Sequence, residues 1–447
     1  MKSSFRSLAS GFGAVSLTVF LAQGAWAQQV VSPATPQAPG TPGTPGMRQE
    51  RPDARTPSAQ AAENYDPRGV PVGSFRLFPE LELDEVYNDN IYATPIGTAG
   101  QTASFVQLIK PSLSLRSDWN RHMANFFAKG NFGLFSASTT PNFADFSFGT
   151  DGRYDIQKDW NVYGGASFNH NHEDPGTPNA ATGAVPPNVY DQITGNVGYY
   201  EKFNRLSLRA DGRADNFSYT NNSTSVNGSL PGFYRDRTEW RESLRVGYEV
   251  LPDTQVWTRG GLNQRDYVYS ADLNGFNRNS SGFDAVVGVQ VDFGGITSVE
   301  VFGGYMQQNY ADSRFRTVSQ PTFGLTGYWN PIREVSVRPF VQRTVSDANL
   351  TTSAAYLSTS AGVDVDYKIR PNVKLSAHGD YAVSDYGVVS TSTNEYDQYL
   401  TLRASAMYSP DNTYFIGPSY QYLTKTSNLV GQNYNQNLIM LRLGAHL

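Results

Sequence analysis

From Phe75 to Leu447 apolar and polar side chains alternate in runs of about a dozen residues, and the runs come in pairs. A tight turn joins the two runs of a pair and a longer polar loop leads to the next, a unit that recurs nine times. The clearest instance is DGRYDIQKDWNVYGGASF, in which Tyr154 and Ile156 lead into a turn at Gln157–Asn161 and Val162 leads out. Turns of the same kind stand at Trp119-Asn120, Phe203-Asn204, Leu251-Pro252-Asp253, Gly294-Gly295, Trp329-Asn330-Pro331, Arg370-Pro371-Asn372 and Pro410-Asp411-Asn412. A period of two sends successive side chains to opposite faces of a strand, so each run has one face for each of two environments. Short turns alternating with long loops are the layout of an antiparallel up-and-down transmembrane β-barrel.

The paired strands are expected at 75–87 and 102–118, 123–135 and 143–156, 161–170 and 189–202, 205–219 and 235–250, and 254–269 and 281–293. The remaining pairs are 296–311 and 314–328, 333–346 and 353–367, 372–386 and 394–409, and 412–423 and 433–447. That makes eighteen strands; sixteen is the alternative if one weak pair, around 412–447, is misread. An even number puts both ends of the barrel on one side, with the short turns facing the periplasm and the long loops facing out. Trp119, Trp160, Phe203, Phe293, Trp329, Tyr367 and Tyr408 gather at the short-turn ends, where an interfacial aromatic girdle belongs. Two stretches assign faces. Val363, Val365 and Tyr367 are expected toward lipid with Asp364 and Asp366 in the lumen, and Ile439, Leu441, Leu443, Ala445 and Leu447 form one apolar face.

The N-terminus changes the compartment. Lys2 and Arg6, the apolar stretch Gly11 to Ala22 and the small-x-small site Ala25-Trp26-Ala27 read as a secretory signal over residues 1–27. Residues 28–74 carry Pro33, Pro36, Pro39, Pro42, Pro45, Pro52, Pro57, Pro67 and Pro71, a composition that reads as a disordered periplasmic linker. The barrel then occupies 75–447. Cysteine is absent, which excludes disulfides, thiolate metal sites, a cysteine nucleophile and a lipid-anchored cysteine. Loss of Lys2 and Arg6 with the signal takes the formal charge from −5 to −7, against nucleic acid as a partner. The negative mean hydropathy agrees with a barrel, in which only every second strand residue meets lipid.

The richest charge pattern lies between residues 205 and 265. Arg209, Asp211, Arg213 and Asp215 share one strand face, the next strand adds Arg237, Glu239, Arg241 and Arg245, and a third adds Arg259 and Arg265. A charge facing lipid near the midplane costs roughly 2–4 kcal/mol, so these are expected to face inward and to pair across the ladder. They read either as lumenal scaffolding or as an electrostatic constriction that selects solutes. Glu242 breaks the parity of Leu244, Val246 and Tyr248, which a β-bulge near 241–243 would repair.

Other constellations are weaker. His170 and His172, two apart before Glu173 and Asp174, have no third histidine nearby, and a solvated strand end is the plainer reading than a metal site. Ser376 and His378 share a face but read as lumen lining rather than a nucleophile and base. No cofactor motif is present, and the chain is not expected to be an enzyme.

The stretch Leu81-Glu-Leu-Asp-Glu-Val-Tyr-Asn-Asp-Asn-Ile-Tyr92, with Pro111-Ser-Leu-Ser-Leu-Arg-Ser-Asp-Trp-Asn-Arg-His122 and Gly152-Arg-Tyr-Asp-Ile-Gln-Lys-Asp-Trp160, resembles the putative β-barrel porin 2 family of Gram-negative outer-membrane proteins. With the hairpin layout the resemblance covers nearly all of 75–447. It implies an outer-membrane barrel, often found among genes for exopolysaccharide synthesis or export, and brings no catalytic residues. The terminal strand also resembles the recognition strand of outer-membrane barrels, ending on Leu447 where Phe is usual.

The expected function is a pore for polar solutes, linked through the resemblance to exopolysaccharide export. The alternative is a non-conducting surface structural or adhesion barrel acting through loops 171–188, 220–233 and 386–394. The expected partners are outer-membrane lipid and the machinery that assembles such barrels, with polysaccharide or its export proteins following from the resemblance. Tyrosines and amides in Asn394–Tyr399 and Gln432–Gln436 read either as sugar contacts or as ordinary loop residues.

Overall fold

The computed structural model describes residues 67–98, 100–178, 180, 187–220, 231–293, 296–389 and 394–447. The expected signal, most of the linker and the Gly294-Gly295 turn lie outside the described residues. The strands are β1 (Val70–Val72), β2 (Phe75–Asn88), β3 (Ser104–Ser117), β4 (Met123–Phe135), β5 (Phe143–Gln157), β6 (Trp160–His172) and β7 (Val189–Phe203). Next come β8 (Leu206–Tyr219), β9 (Arg237–Leu251), β10 (Thr254–Tyr267), β11 (Ser280–Phe293), β12 (Thr297–Tyr310) and β13 (Val318–Ile332). The last are β14 (Val335–Leu350), β15 (Ser353–Arg370), β16 (Val373–Asp385), β17 (Tyr396–Tyr408), β18 (Tyr414–Ser427) and β19 (Tyr434–His446). No helix among the described residues is long and apolar enough to cross a membrane; membrane crossing falls to the strands.

Each of β2 to β19 pairs antiparallel with its sequence neighbours, and β19 closes the ring on β2 through Ile439↔Tyr87, Leu441↔Glu85 and Leu443↔Leu83. The result is the eighteen-stranded barrel, not the sixteen-stranded alternative. Strands of this composition close rather than stack because a ring leaves no edge for unsatisfied backbone groups in lipid. β1, inside the stretch read as linker, forms a short hairpin on β2 through Val70↔Leu77 and Val72↔Phe75. It continues the edge of β2 beyond Glu80, where the pairing with β19 stops. The two-residue turns at the short-turn rim suit this geometry: Asn204 and Asp253 take φ of 56° and 62°, the left-handed conformation that these two residue types tolerate.

Alternation assigns the faces as expected. Ile439, Leu441, Leu443 and Leu447 are exposed, while Leu438, Met440 and Arg442 between them are buried. Val363 and Tyr367 are likewise exposed, with Asp364 and Asp366 bonded inside. Six of the seven girdle aromatics are exposed; Trp160 is half-buried.

Two expectations need correction. β13 and β14 sit about four residues later than expected at their far ends. Residues 314–317, read as the start of a strand, lie instead in a loop in which Asp312 receives the backbone N–H groups of Arg314 and Asn277. The matching turn falls at Arg333-Glu334 rather than Trp329-Asn330-Pro331, and a register irregularity between Trp329 and Ile332 absorbs Pro331. The second correction is Glu242. Its ladders run unbroken as Gly212↔Glu242 and Leu262↔Glu242, so no bulge turns it inward, and it stands exposed on the outer face.

The barrel wall is incomplete at one place. The β13–β14 ladder stops at Gly324↔Gln342, yet β14 and β15 stay paired up to Leu350↔Ser353. The tip of this hairpin therefore leaves the wall. Ala348, Ala355 and Tyr356 are fully buried at the tip, and Val345, Ala354 and Leu357 pack with Met306, Phe315, Val318 and Val389.

Candidate functional site

Two features define the lumen: a charged ladder on β8–β10 and the hairpin tip that folds in above it. All ten charged positions expected to face inward do so. Asp211, Arg213, Arg241, Arg245 and Arg259 are partly buried, and Arg209, Asp215, Arg237, Glu239 and Arg265 are buried. They pair across the ladder only in part. Arg265 stands directly opposite Glu239, at 3.8 Å, but elsewhere the register sets like against like: Arg209↔Arg245↔Arg259 in one line, then Arg213↔Arg241, then Asp215↔Glu239. The other opposite charges meet two residues along the same strand or diagonally, because same-face neighbours on a strand are about as near as diagonal ones. Arg213 reaches Asp215 at 2.7 Å, Arg237 reaches Glu239 at 2.8 Å and Arg209 reaches Asp211 at 2.8 Å. Arg241 spans Asp215 at 3.3 Å and Glu239.

The line of three arginines draws its counter-charges from further strands. Arg245 reaches Glu300 on β12 at 2.9 Å and Arg259 reaches Asp284 on β11 at 2.9 Å. Aromatic rings lie beneath the guanidiniums. Arg245 sits 3.9 Å over Trp257, Arg209 5.6 Å over Tyr163 and Arg259 5.7 Å over Phe302. Trp257 is itself pressed against Gly288, where a Cβ would come within 2.4 Å of the indole.

Above this line the ladder grips the hairpin tip. Arg265 donates to the carbonyl of Val345 at 2.9 Å, and Tyr267 donates to Asp347. Arg235 and Arg237 approach Asp347 at 3.6 and 3.5 Å, and Arg235 also donates to Glu173 at 2.7 Å. Arg278 donates to three tip carbonyls, Ala348 at 3.2 Å, Ser353 at 3.0 Å and Leu350 at 2.5 Å, and to Asp272 at 2.8 Å. Asp347 and Arg278 were not singled out from the sequence, and Glu173 entered only as part of the His170–Asp174 stretch. Their signal was a charge in or beside a polar loop, which is the ordinary state of a solvated one.

A second charged wall lies across the closure. Glu82 and Asp84 on β2 stand between Lys110 on β3, at 2.9 and 2.5 Å, and Arg442 on β19, at 3.4 and 3.7 Å, so the ring closure is tied from inside. Beside it, His378 bonds Asp364 and Asp380 at 2.8 Å each, and Ser376 donates to Asp366 at 2.6 Å. Ser376 and His378 thus each serve an acid and do not meet. His170 pairs with Asp191, whereas His172 is buried against Asp145 and Asp174; the two histidines address different partners. Among the described residues no cluster of three or more acidic or histidine side chains is arranged for a metal.

The segments flagged for inward tyrosines and amides converge at the long-loop mouth. Tyr434 donates to the carbonyl of Gly176 at 2.8 Å and Tyr386 to that of Pro178 at 3.1 Å. They roof a recess lined also by Glu395, Asp397, Lys425 and Gln432.

A closed eighteen-stranded ring with an apolar outside, an aromatic girdle and a charged inside is the architecture of an outer-membrane porin. The chain belongs to the family described as putative beta-barrel porin 2, whose sequence profile matches residues 63–447. It is a porin-like barrel of the outer membrane, and not an enzyme. Among solved structures it is similar to OpdO of Pseudomonas aeruginosa, 15% identical, covering 84% of this chain and 98% of that one, with a TM-score of 0.43. It is also similar to a BenF-like porin from Pseudomonas fluorescens, 9% identical over 84% and 100% of the chains, with a TM-score of 0.45. OpdK of Pseudomonas aeruginosa, solved with vanillate, is 11% identical over 83% and 99%, with a TM-score of 0.42. No curated protein matches the chain.

Proposed function

We propose that the barrel is a channel for small polar solutes, with selection exerted by the arginine line of β8–β10 and width limited by the hairpin tip. The observation that carries this reading is the alignment of Arg209, Arg245 and Arg259 at one height on the lumen wall. Guanidiniums side by side repel one another, and each needs its own acid to stand there. A wall built for stability alone would alternate the signs across the ladder. Such a line biases the lumen field toward anions and orders the water beside it.

Size supports the small-solute reading. Strands ~4.8 Å apart and tilted by about 40° give eighteen strands a backbone radius of roughly 18 Å, wide enough for an aqueous channel. The in-folded tip takes up part of that width. The link to exopolysaccharide export rests on the family resemblance, and it predicts that deleting the gene reduces polymer release.

Reversal potentials under a salt gradient test the channel. Replacing Arg209, Arg213, Arg241 and Arg245 with glutamine should move selectivity toward cations, since Asp211, Asp215 and Glu239 remain. The change should fade as salt rises, with a Debye length of about 10 Å at 0.1 M. An unchanged potential with intact conductance would reduce the ladder to scaffold. A folded, inserted barrel that never conducts would replace the channel with the structural or adhesive alternative.

A further inference from the structure

The recess at the long-loop mouth holds two carboxylates and one cation. Asp397 and Glu395 lie two residues apart on the inner face of β17 and the residue before it. Lys425 on β18 reaches only Oδ2 of Asp397, at 2.7 Å, and shares its remaining contact with Gln432 at 3.3 Å. Oδ1 of Asp397 is buried without a hydrogen-bond donor, although the residue is only 1% exposed. Glu395, 7% exposed, lines the same recess, and among the described residues no hydrogen bond or ion pair engages its carboxylate. Buried acceptors that face no donor cost free energy, and a pair of acids served by one lysine leaves one negative charge over.

The Tyr399 hydroxyl donates to Asp397 at 3.4 Å, but to the same Oδ2 that Lys425 holds. Tyr386 and Tyr434, which also line the recess, both donate to backbone carbonyls of the β6–β7 loop and not to the acids. The recess is about 40 Å³, room for roughly two or three water-sized groups. One positive charge, a group of water size, several donors and aromatic walls together describe a primary ammonium. A divalent ion would overshoot the charge balance beside Lys425.

We propose that this recess binds the ammonium head of a small amine-bearing solute, an amino sugar or a similar amine, arriving from the long-loop side. The proposal rests on the channel reading only for why such a solute would pass there. Binding itself needs no conduction.

The test uses the full chain folded in detergent, with folding of every variant checked by heat-modifiable gel migration. Calorimetry at pH 7, where the amine of glucosamine is mostly protonated, compares it with N-acetylglucosamine, which keeps the ring and loses the charge. Glucosamine should bind at least tenfold more tightly than its acetylated form. Glu395→Gln should weaken glucosamine at least tenfold, and Lys425→Met should tighten it severalfold by removing the competing ammonium. Equal affinity for the two sugars, or affinity indifferent to both substitutions, would overturn the proposal. Binding of Ca²⁺ rather than amine that is lost in Glu395→Gln would overturn it in favour of a metal site. Failure of the channel reading would show separately, as absent conductance with these affinities intact.

Discussion

Arg278 is the residue on which the inward position of the hairpin tip most depends, and Arg278→Gln should release the tip without unfolding the ring. Its guanidinium is 2% exposed and holds the carbonyls of Ala348, Leu350 and Ser353 at once. A hydrogen bond to a charged group contributes about 1.5–3 kcal/mol net, so three of them have a ceiling near 4–9 kcal/mol. They act as a unit, and lumen water can reach the carbonyls once the tip lifts, both of which lower the realised value. Asp272 is not orphaned either, since it keeps the backbone N–H groups of Asn274 and Phe276 at 2.9 and 3.0 Å. A shift of about 2–4 kcal/mol in the opening equilibrium is the reasonable expectation, roughly 30- to 1,000-fold at 1.4 kcal/mol per decade.

The absence of native cysteine makes the measurement clean. Ala348→Cys places a thiol at a position with no exposure, and a bulky maleimide can reach it only when the tip opens. Labelling should be slow in that single variant and faster by the stated factor when Arg278→Gln is added. Single-channel conductance should rise in parallel. Equal labelling rates with and without Arg278→Gln would refute the reasoning, because the tip would then be held by its apolar contacts with Met306, Phe315 and Val318 rather than by the arginine.

Three further outcomes follow from single residues. Glu242→Leu removes a charge from the outer face and should stabilise the barrel by at most about 1 kcal/mol, less than the midplane value because the residue is an acid near the edge of the apolar band, as read by urea unfolding from lipid vesicles. Gly288→Val should displace Trp257 from beneath Arg245 and change the reversal potential in a barrel that still migrates as folded; an unchanged potential would detach the aromatic ledge from selectivity. Burial, and next Asp397, raise the Glu395 carboxyl from 4.5 to about 7, against a smaller opposing effect of Lys425. The folded mouth therefore holds a proton that the unfolded one releases. The stabilisation is complete below about 4.5 and is lost as pH rises toward 7, so the protection factors of the Tyr386 and Tyr396 amides, which correct for base-catalysed exchange of a free amide, should fall over that interval in wild type and stay flat in Glu395→Gln.

The barrel was legible because its cause is written locally. Lipid demands an apolar side chain at every second position, and a strand such as Leu438–Leu447 records that demand without reference to any neighbour. Boundaries failed where a loop happened to alternate. The stretch Arg314-Phe-Arg-Thr-Val318 has the period of a strand, but Asp312 turns the chain back through backbone N–H groups and Phe315 packs under the hairpin tip. Glu242 misled for the opposite reason. The rule that charges avoid the outer face is a cost, not a prohibition, and at the tenth residue above the Leu251–Thr254 turn the strand has climbed roughly 25 Å, the height of the apolar band itself.

Register is what alternation cannot supply, and it carries most of the site. Inward charge on β8, β9 and β10 is readable strand by strand, but whether an arginine faces an acid or another arginine depends on an offset of two residues between strands. The structure resolves that offset as Arg209 beside Arg245 beside Arg259, with Asp215 beside Glu239 three same-face positions further along β8. Sliding β9 by two residues relative to β8 would have set Arg213 against Glu239 or Asp215 against Arg241, so the turn at Asn204-Arg205 and the loop closing at Arg237 together decide the electrostatics of the wall. The same holds for the hairpin tip. Its sequence, Asp347-Ala-Asn-Leu-Thr-Thr-Ser353, is an unremarkable polar turn, and its inward course comes from Arg265 on β10, four places round the ring, and Arg278 in the loop that leads into β11. Charged groups that seat a distant segment leave no local period, which is why the fold could be read from the chain and the inward course of the tip could not.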